Sequence, residues 1–379
     1  MPEESILFDA TALPKARGGV GRYVEGLLGG LTAAGARVTI VCQSRDAAFF
    51  RESFPEFALV ELPRACQSRA ARFLWEQSGL PLLARRIGAT VVHSPHYTMP
   101  LVGSFRRVVT IHDATFFSDP QVHSRLKGAF FRFWTKRAVN GADAVVVPSA
   151  ATARELSNYL PGFPAQVLVA HHGVDTSIFH TPSAAERSTA RASIGLGEEP
   201  YIAFLGTLEP RKNIPALIRA MALVATRHPA PVLVLAGGAG WDTAIAAEVT
   251  AAQGTVRIIQ PGYLPIDALP SFLHGALAVV YPSLGEGFGL PVLEAMASGA
   301  LVITTRRLAL PEVGGDAVLY TEIDDVSIAA AIVRVIEHPE DSASLRDEAL
   351  HRSLSFTWVR SARIHLAAYV GHESTVVQG

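Results

Sequence analysis

The chain has 379 residues, 49% of them hydrophobic and 18% charged, which is enough apolar material for two moderate cores. Its 33 basic and 34 acidic side chains leave a net charge of -1, without the basic excess of a nucleic-acid binder. Cys42 and Cys66 are the only cysteines, which excludes a disulfide framework or a cysteine-built metal site. No signal-like N-terminus and no apolar run near the length of a membrane span is visible, so a cytoplasmic protein with at most peripheral membrane contact is expected.

Short apolar runs alternate with stretches of helical period, the pattern of βα repeats around parallel sheets. In the first half, strands are predicted at residues 6–8, 38–42, 91–93, 108–112, 145–148 and 166–170. Helices are predicted between them, for example at 20–34 and 149–159. The polar stretch 176–200 reads as a linker with a short helix. The rhythm then restarts, with strands at 201–205, 231–236, 255–259, 277–281, 301–304 and 317–320. Two Rossmann-like domains are expected, residues 1–175 and 176–363, with a C-terminal helix around 356–369, of which about 364–379 is counted with the first domain, crossing back to it.

Gly18-Gly19-Val20-Gly21 follows the first strand and opens a helix, where backbone amides can approach a phosphate. A dinucleotide fingerprint starting at Gly19 would need glycine at position 24, where Val24 stands, so a dehydrogenase is disfavoured. Taken alone, the loop reads equally well as a tight turn.

The most informative segment runs from Ser283 to Gly299. A predicted strand leads into Gly285-Glu286-Gly287-Phe288-Gly289-Leu290-Pro291, and a helix follows with Glu294 about one turn inside it. Pro291 suits a first helical turn. Amides of Phe288, Gly289 and Leu290 are expected to point at a diphosphate, and ionised Glu286 and Glu294 can each accept from pairs of hydroxyls. Two glutamates eight positions apart are common on ordinary helices; three glycines, a proline and the strand-loop-helix setting favour a binding site here.

Together with His93-Ser94-Pro95, His112-Asp113, His172-Gly173-Val174-Asp175 and Gly206-Thr207-Leu208-Glu209-Pro210-Arg211-Lys212-Asn213, this segment resembles the retaining family 4 glycosyltransferases over nearly the whole chain. The resemblance implies an α/β fold of the GT-B type, two facing Rossmann-like domains. It implies that Glu286 holds donor-sugar hydroxyls, that Glu294 holds the ribose diol, and that Gly18 and Gly19 close on the distal phosphate. It places Gly262-Tyr263-Leu264 against the nucleobase and His112 near the reacting face of the sugar. No Asp-x-Asp triplet occurs, so no metal ligands and no essential divalent ion are expected. Arg211 and Lys212, after Gly206 at a strand end, are then the cations that meet the departing diphosphate.

The motifs look most like bacterial mannosyltransferases in that family. The expected reaction is transfer of an α-mannosyl group from GDP-mannose to a saccharide acceptor, such as a mannose-containing oligosaccharide of the methylmannose polysaccharide type. A UDP-sugar or dTDP-rhamnose donor, an epimerase or hydrolase, and a noncatalytic glycan-binding subunit are the alternatives. The basic, aromatic stretch 124–137 is expected to bury its phenylalanines and keep its cations solvated, with glycan or membrane contact as the rival reading.

Overall fold

The computed structural model describes residues 4–14, 17–118, 125–162 and 165–371. Two compact units divide the chain: Met1–Gly173 with Thr357–Gly379, and Val174–Phe356.

The first unit is built on a seven-stranded parallel sheet. Its strands are β1 (Ser5–Asp9), β2 (Arg37–Cys42), β3 (Ala58–Glu61), β4 (Val91–Ser94), β5 (Arg106–Thr110), β6 (Ala144–Val147) and β7 (Gln166–Val169), in the order β3-β2-β1-β4-β5-β6-β7. β4 and β6 are buried along their whole length, as central parallel strands covered on both faces should be. β3 has no counterpart among the expected strands. Its four residues sit at the sheet edge without a buried position, so the apolar run that marks the others is missing.

The second unit holds β8 (Tyr201–Leu205), β9 (Val232–Ala236), β10 (Ile258–Gly262), β11 (Ala278–Tyr281), β12 (Val302–Thr305) and β13 (Leu319–Thr321), in the order β10-β9-β8-β11-β12-β13. The strand expected at 255–259 lies three residues further on. Its pairing with β9 shifts register between Ile259 and Gly262, where Pro261 has no N–H to give the ladder. In each sheet the chain order reverses once, between β1 and β4 and between β8 and β11. In open parallel sheets the carboxyl ends of the strands at such a reversal are where ligands generally bind.

The last helix runs from Trp358 to Val370, where the helix around 356–369 is expected; residues 372–379 lie outside the described ones. Thr357 caps it through its side chain. It packs on the helix Gly19–Ala33 at Gly26 and Gly30, and a Cβ at Gly26 would lie 2.0 Å from the Trp358 ring. A buried polar chain fixes the contact. Tyr369 Oη meets His93 Nδ1 at 2.7 Å, and Tyr23 Oη meets Thr110 Oγ1 at 2.7 Å and His365 Nε2 at 3.0 Å. Among the described residues, no helix is long and apolar enough to cross a membrane.

Candidate active site

In the second unit the loops after β8, β9 and β10 are stitched edge to edge. Gly206 N–H donates to Ala236 O, Leu208 N–H to Gly238 O, and Gly237 N–H to Gly262 O at 2.8 Å. The approach is so close that a Cβ at Gly237 would lie 2.0 Å from Gly206 O, and one at Gly240 would lie 1.8 Å from Leu208 O. The 237–240 glycines therefore make room for the β8 loop. Gly262 is the last residue of β10, Tyr263 beyond it is exposed and Leu264 half-buried.

The β8 loop tightens into a single turn, Pro210–Lys212, and ends at Asn213 in the left-handed region before the helix Ile214–Ala225. This delivers Arg211 and Lys212 to the end of β11. Leu284 N–H donates to Arg211 O at 2.8 Å, which locks the two loops together. Both oxygens of Glu286 are engaged. Arg211 reaches Oε2, while Lys212 Nζ and Ser283 Oγ donate to Oε1 at 2.7 and 2.6 Å. Lys212 also donates to the Tyr281 hydroxyl, and Arg211 donates to Glu209 Oε1 at 2.7 Å. Lys212 and Glu286 are buried.

Burial alone would push the Glu286 carboxyl upward. The Arg211 guanidinium and Lys212 ammonium, with hydrogen bonds from Lys212 and Ser283, outweigh that and hold it at about 2. The carboxylate is therefore ionised at neutral pH. Two cations meet two carboxylates, Glu209 and Glu286, in a cluster that is locally neutral.

Gly289 adopts φ 110° and starts the helix Leu290–Ala297, which has Pro291 in its first turn and no side-chain cap. In place of a side-chain cap, Gly289 O accepts from Val292 N–H at 3.0 Å and from Leu293 N–H at 3.1 Å. Phe288 is buried, with its ring edge-on to Phe356 at 5.9 Å, so its side chain serves packing. Glu294 is buried one turn inside the helix, where its carbonyl accepts from Ser298 N and Oγ. Among the described residues, no group of three or more His, Cys, Asp or Glu is arranged to hold a metal ion.

In the first unit Gly18 is the N-cap of the helix Gly19–Ala33. Arg17 anchors this turn: it pairs with Glu25 at 3.0 Å and Asp46 at 3.2 Å, and its guanidinium lies 3.6 Å above the Phe49 ring. His112 donates from Nε2 to Pro95 O at 2.8 Å and stands edge-on to Tyr23, with ring centroids 4.8 Å apart. Burial lowers its pKa, so the ring is neutral at pH 7, protonated at Nε2 and with its lone pair on Nδ1. Asp113 accepts from Thr115 N and Oγ1 and caps a short turn.

Residues 17–178 match the family described as Glycosyltransferase Family 4, and residues 186–352 match Glycosyl transferases group 1. The chain is 30% identical over 285 residues to the O-antigen chain mannosyltransferase B of Escherichia coli, covering 74% of each chain. It is a family 4 glycosyltransferase. This glycosyltransferase is also 30% identical to a D-inositol 3-phosphate glycosyltransferase of a Nocardioides species, over 78% of its own length and 65% of the relative's. Among solved structures, sucrose-phosphate synthase from Thermosynechococcus elongatus superposes with a TM-score of 0.80 at 22% identity, covering 97% of this chain and 98% of that one. Anabaena HepE in complex with UDP and glucose gives 0.77 at 18%, with coverage of 97% and 100%. The fold is GT-B.

Within the glycosyltransferase's second unit, Gly206, Arg211, Lys212 and Glu286 are brought together by two adjoining loops. Glu209, Tyr281 and Ser283 complete that cluster and were not among the expected site residues. Glu209 stands inside the motif that points to Arg211 and Lys212, but nothing in its spacing distinguishes a partner for those cations from a loop carboxylate.

Proposed function

We propose that this glycosyltransferase moves an α-mannosyl group from GDP-mannose to a saccharide acceptor with retention of configuration. The observation that supports it is the cluster of buried Glu286 and Lys212 with half-buried Arg211 at the carboxyl end of β8 and β11, a place where ligands of parallel sheets bind. The name of the O-antigen chain mannosyltransferase B, its relative over three quarters of the chain, favours mannose as the sugar.

In this reading Arg211 and Lys212 turn from Glu286 and Glu209 to the diphosphate and stabilise the charge that grows as the C1–O bond to phosphate breaks. Glu286, relieved of part of its pairing, accepts from sugar hydroxyls, and Glu294 accepts from the ribose diol. The acceptor oxygen bonds to C1 on the face the phosphate leaves, and its proton passes to the departing phosphate oxygen. No protein nucleophile is required, and no divalent ion is needed to hold the donor.

The test is incubation of a donor panel (GDP-mannose, UDP-glucose, dTDP-rhamnose) with candidate manno-oligosaccharides, followed by mass spectrometry and anomeric proton NMR of the product. An α-mannoside formed only from GDP-mannose is expected. A β-product, or a different preferred donor, defeats the reading, and GDP-mannose turnover without acceptor transfers it to an epimerase or hydrolase.

A further inference from the structure

Two neighbouring helices of the first unit leave large apolar side chains in water beside a surplus of cations. On Arg125–Gly141 the phenylalanines divide. Phe131 turns inward and stacks on Phe116 with ring centroids 4.6 Å apart, whereas Phe130 is 40% and Phe133 52% exposed. Thus the expected burial of the phenylalanines holds for only part of the stretch; Ser124 lies outside the described residues. Phe130, Phe133 and Arg137 recur at intervals of three and four and share one helical face with exposed Lys136 beside them; the Arg137 guanidinium lies 5.3 Å from the Phe133 ring.

This face continues onto the helix Arg69–Ile87. Phe73 meets Trp134 and Phe130, with ring centroids 4.6 and 5.8 Å apart, and ties the two helices together. Next to Phe73, Leu74 is 67% exposed, and Leu82, two turns further on, is 68% exposed. Single exposed apolar residues are ordinary; a set of them spread over two packed helices marks an interaction surface.

Charge selects the partner. The helix Arg125–Gly141 carries five basic residues and no acidic one. Arg69–Ile87 carries four arginines and one carboxylate, Glu76, which is buried and paired with Arg72 at 2.8 Å. In a chain whose net charge is -1, this is a strong local asymmetry. A second copy docking here would set cations against cations. A flat anionic surface with an apolar interior satisfies both halves of the patch, since aromatic and leucine side chains enter the headgroup layer while lysine and arginine meet phosphate.

We propose that this face, centred on Phe130, Phe133, Lys136 and Arg137 with Leu74 at its edge, docks the enzyme on an anionic phospholipid bilayer. The contact lies in the plane of the surface and uses residues of the first unit.

The test is co-sedimentation of the full chain with vesicles of phosphatidylcholine alone and of phosphatidylcholine mixed with phosphatidylglycerol, at low and high salt. Binding to the mixed vesicles that weakens with salt is expected. Lys136→Glu with Arg137→Glu should lower partition by roughly tenfold or more, and Phe130→Ser with Phe133→Ser should also lower it. The control Arg334→Glu, an exposed charge reversal in the second unit, should leave it unchanged. Thermal unfolding checks that each variant folds, and the charge reversals, at exposed positions, decide the matter if the serine pair does not. Equal binding to both vesicle types, no binding at low salt, or binding indifferent to the charge reversals overturns the proposal. So does a dimer, seen by sizing, that the serine pair dissolves while vesicle binding is absent.

Discussion

Lys212 Nζ lies 2.7 Å from Glu286 Oε1, both side chains buried, so neither charge can lose the other without a large penalty. Breaking a buried pair from one side costs about 3–5 kcal/mol, because the survivor stays desolvated. Lys212→Met is expected to lower unfolding free energy by about that amount, and Glu286→Gln by somewhat less, since the amide keeps one acceptor for Lys212. Urea unfolding followed by tryptophan fluorescence checks both. A loss under about 1 kcal/mol for Lys212→Met would mean the cluster is solvated.

Glu286 and Glu294 should separate binding from transfer. Glu294→Ala is expected to weaken GDP binding by roughly tenfold or more, the scale of one or two hydrogen bonds to a charged group. Glu286→Ala should leave GDP affinity within a few-fold and depress transfer by at least about a hundredfold, the scale of one lost electrostatic contact to the reacting group. Calorimetry with GDP, beside product assays, reads both; equal loss of GDP affinity in the two variants rejects the division.

The second-unit loops should not tolerate a methyl group. Gly240→Ala would force its Cβ against Leu208 O, a backbone atom that cannot swing aside. A loss of about 1–3 kcal/mol is expected, the scale of overpacking, with a raised donor KM because the β8 loop that carries Arg211 must shift. An unchanged KM in a folded variant counts against the coupling of the two loops.

In the first unit, Glu76 should make stability depend on pH. Burial, reinforced by the Asp9 carboxylate and opposed by Arg72 and Thr98, pushes its pKa from 4.5 up to about 7. Between those values the folded chain keeps a proton that the unfolded chain has released. The contribution is therefore fully present below about pH 4.5 and is lost as pH rises to about 7, by up to about 3 kcal/mol. Glu76→Gln, neutral at every pH, should gain on the parent over that window. Melting temperatures of both proteins from pH 4 to pH 8 check this; a constant difference refutes it.

Much of the fold was legible because parallel strands covered on both faces read as apolar runs. The half-exposed β3 and the proline-interrupted β10 broke that pattern and were missed or misplaced. The motif residues Arg211, Lys212 and Glu286 stood out by their glycine-rich settings. Their mutual pairing did not, because about seventy residues separate them in the chain and only the adjacency of β8 and β11 joins them. Periodicity likewise registered Phe130, Phe131 and Phe133 as one aromatic cluster. Only the packing against Phe116 distinguishes the inward ring from the outward pair.

The return of the helix Trp358–Val370 to the first unit gives the chain an order of assembly. Val174 N–H donates to Phe356 O at 3.1 Å, so the second unit is an insertion whose two ends lie side by side. During synthesis this middle portion has its whole sequence available first, while the N-terminal sheet waits for its closing helix until residues 358–370 have been made. A truncation shortly after Phe356 therefore harms the sheet made before the middle portion and spares the middle portion itself.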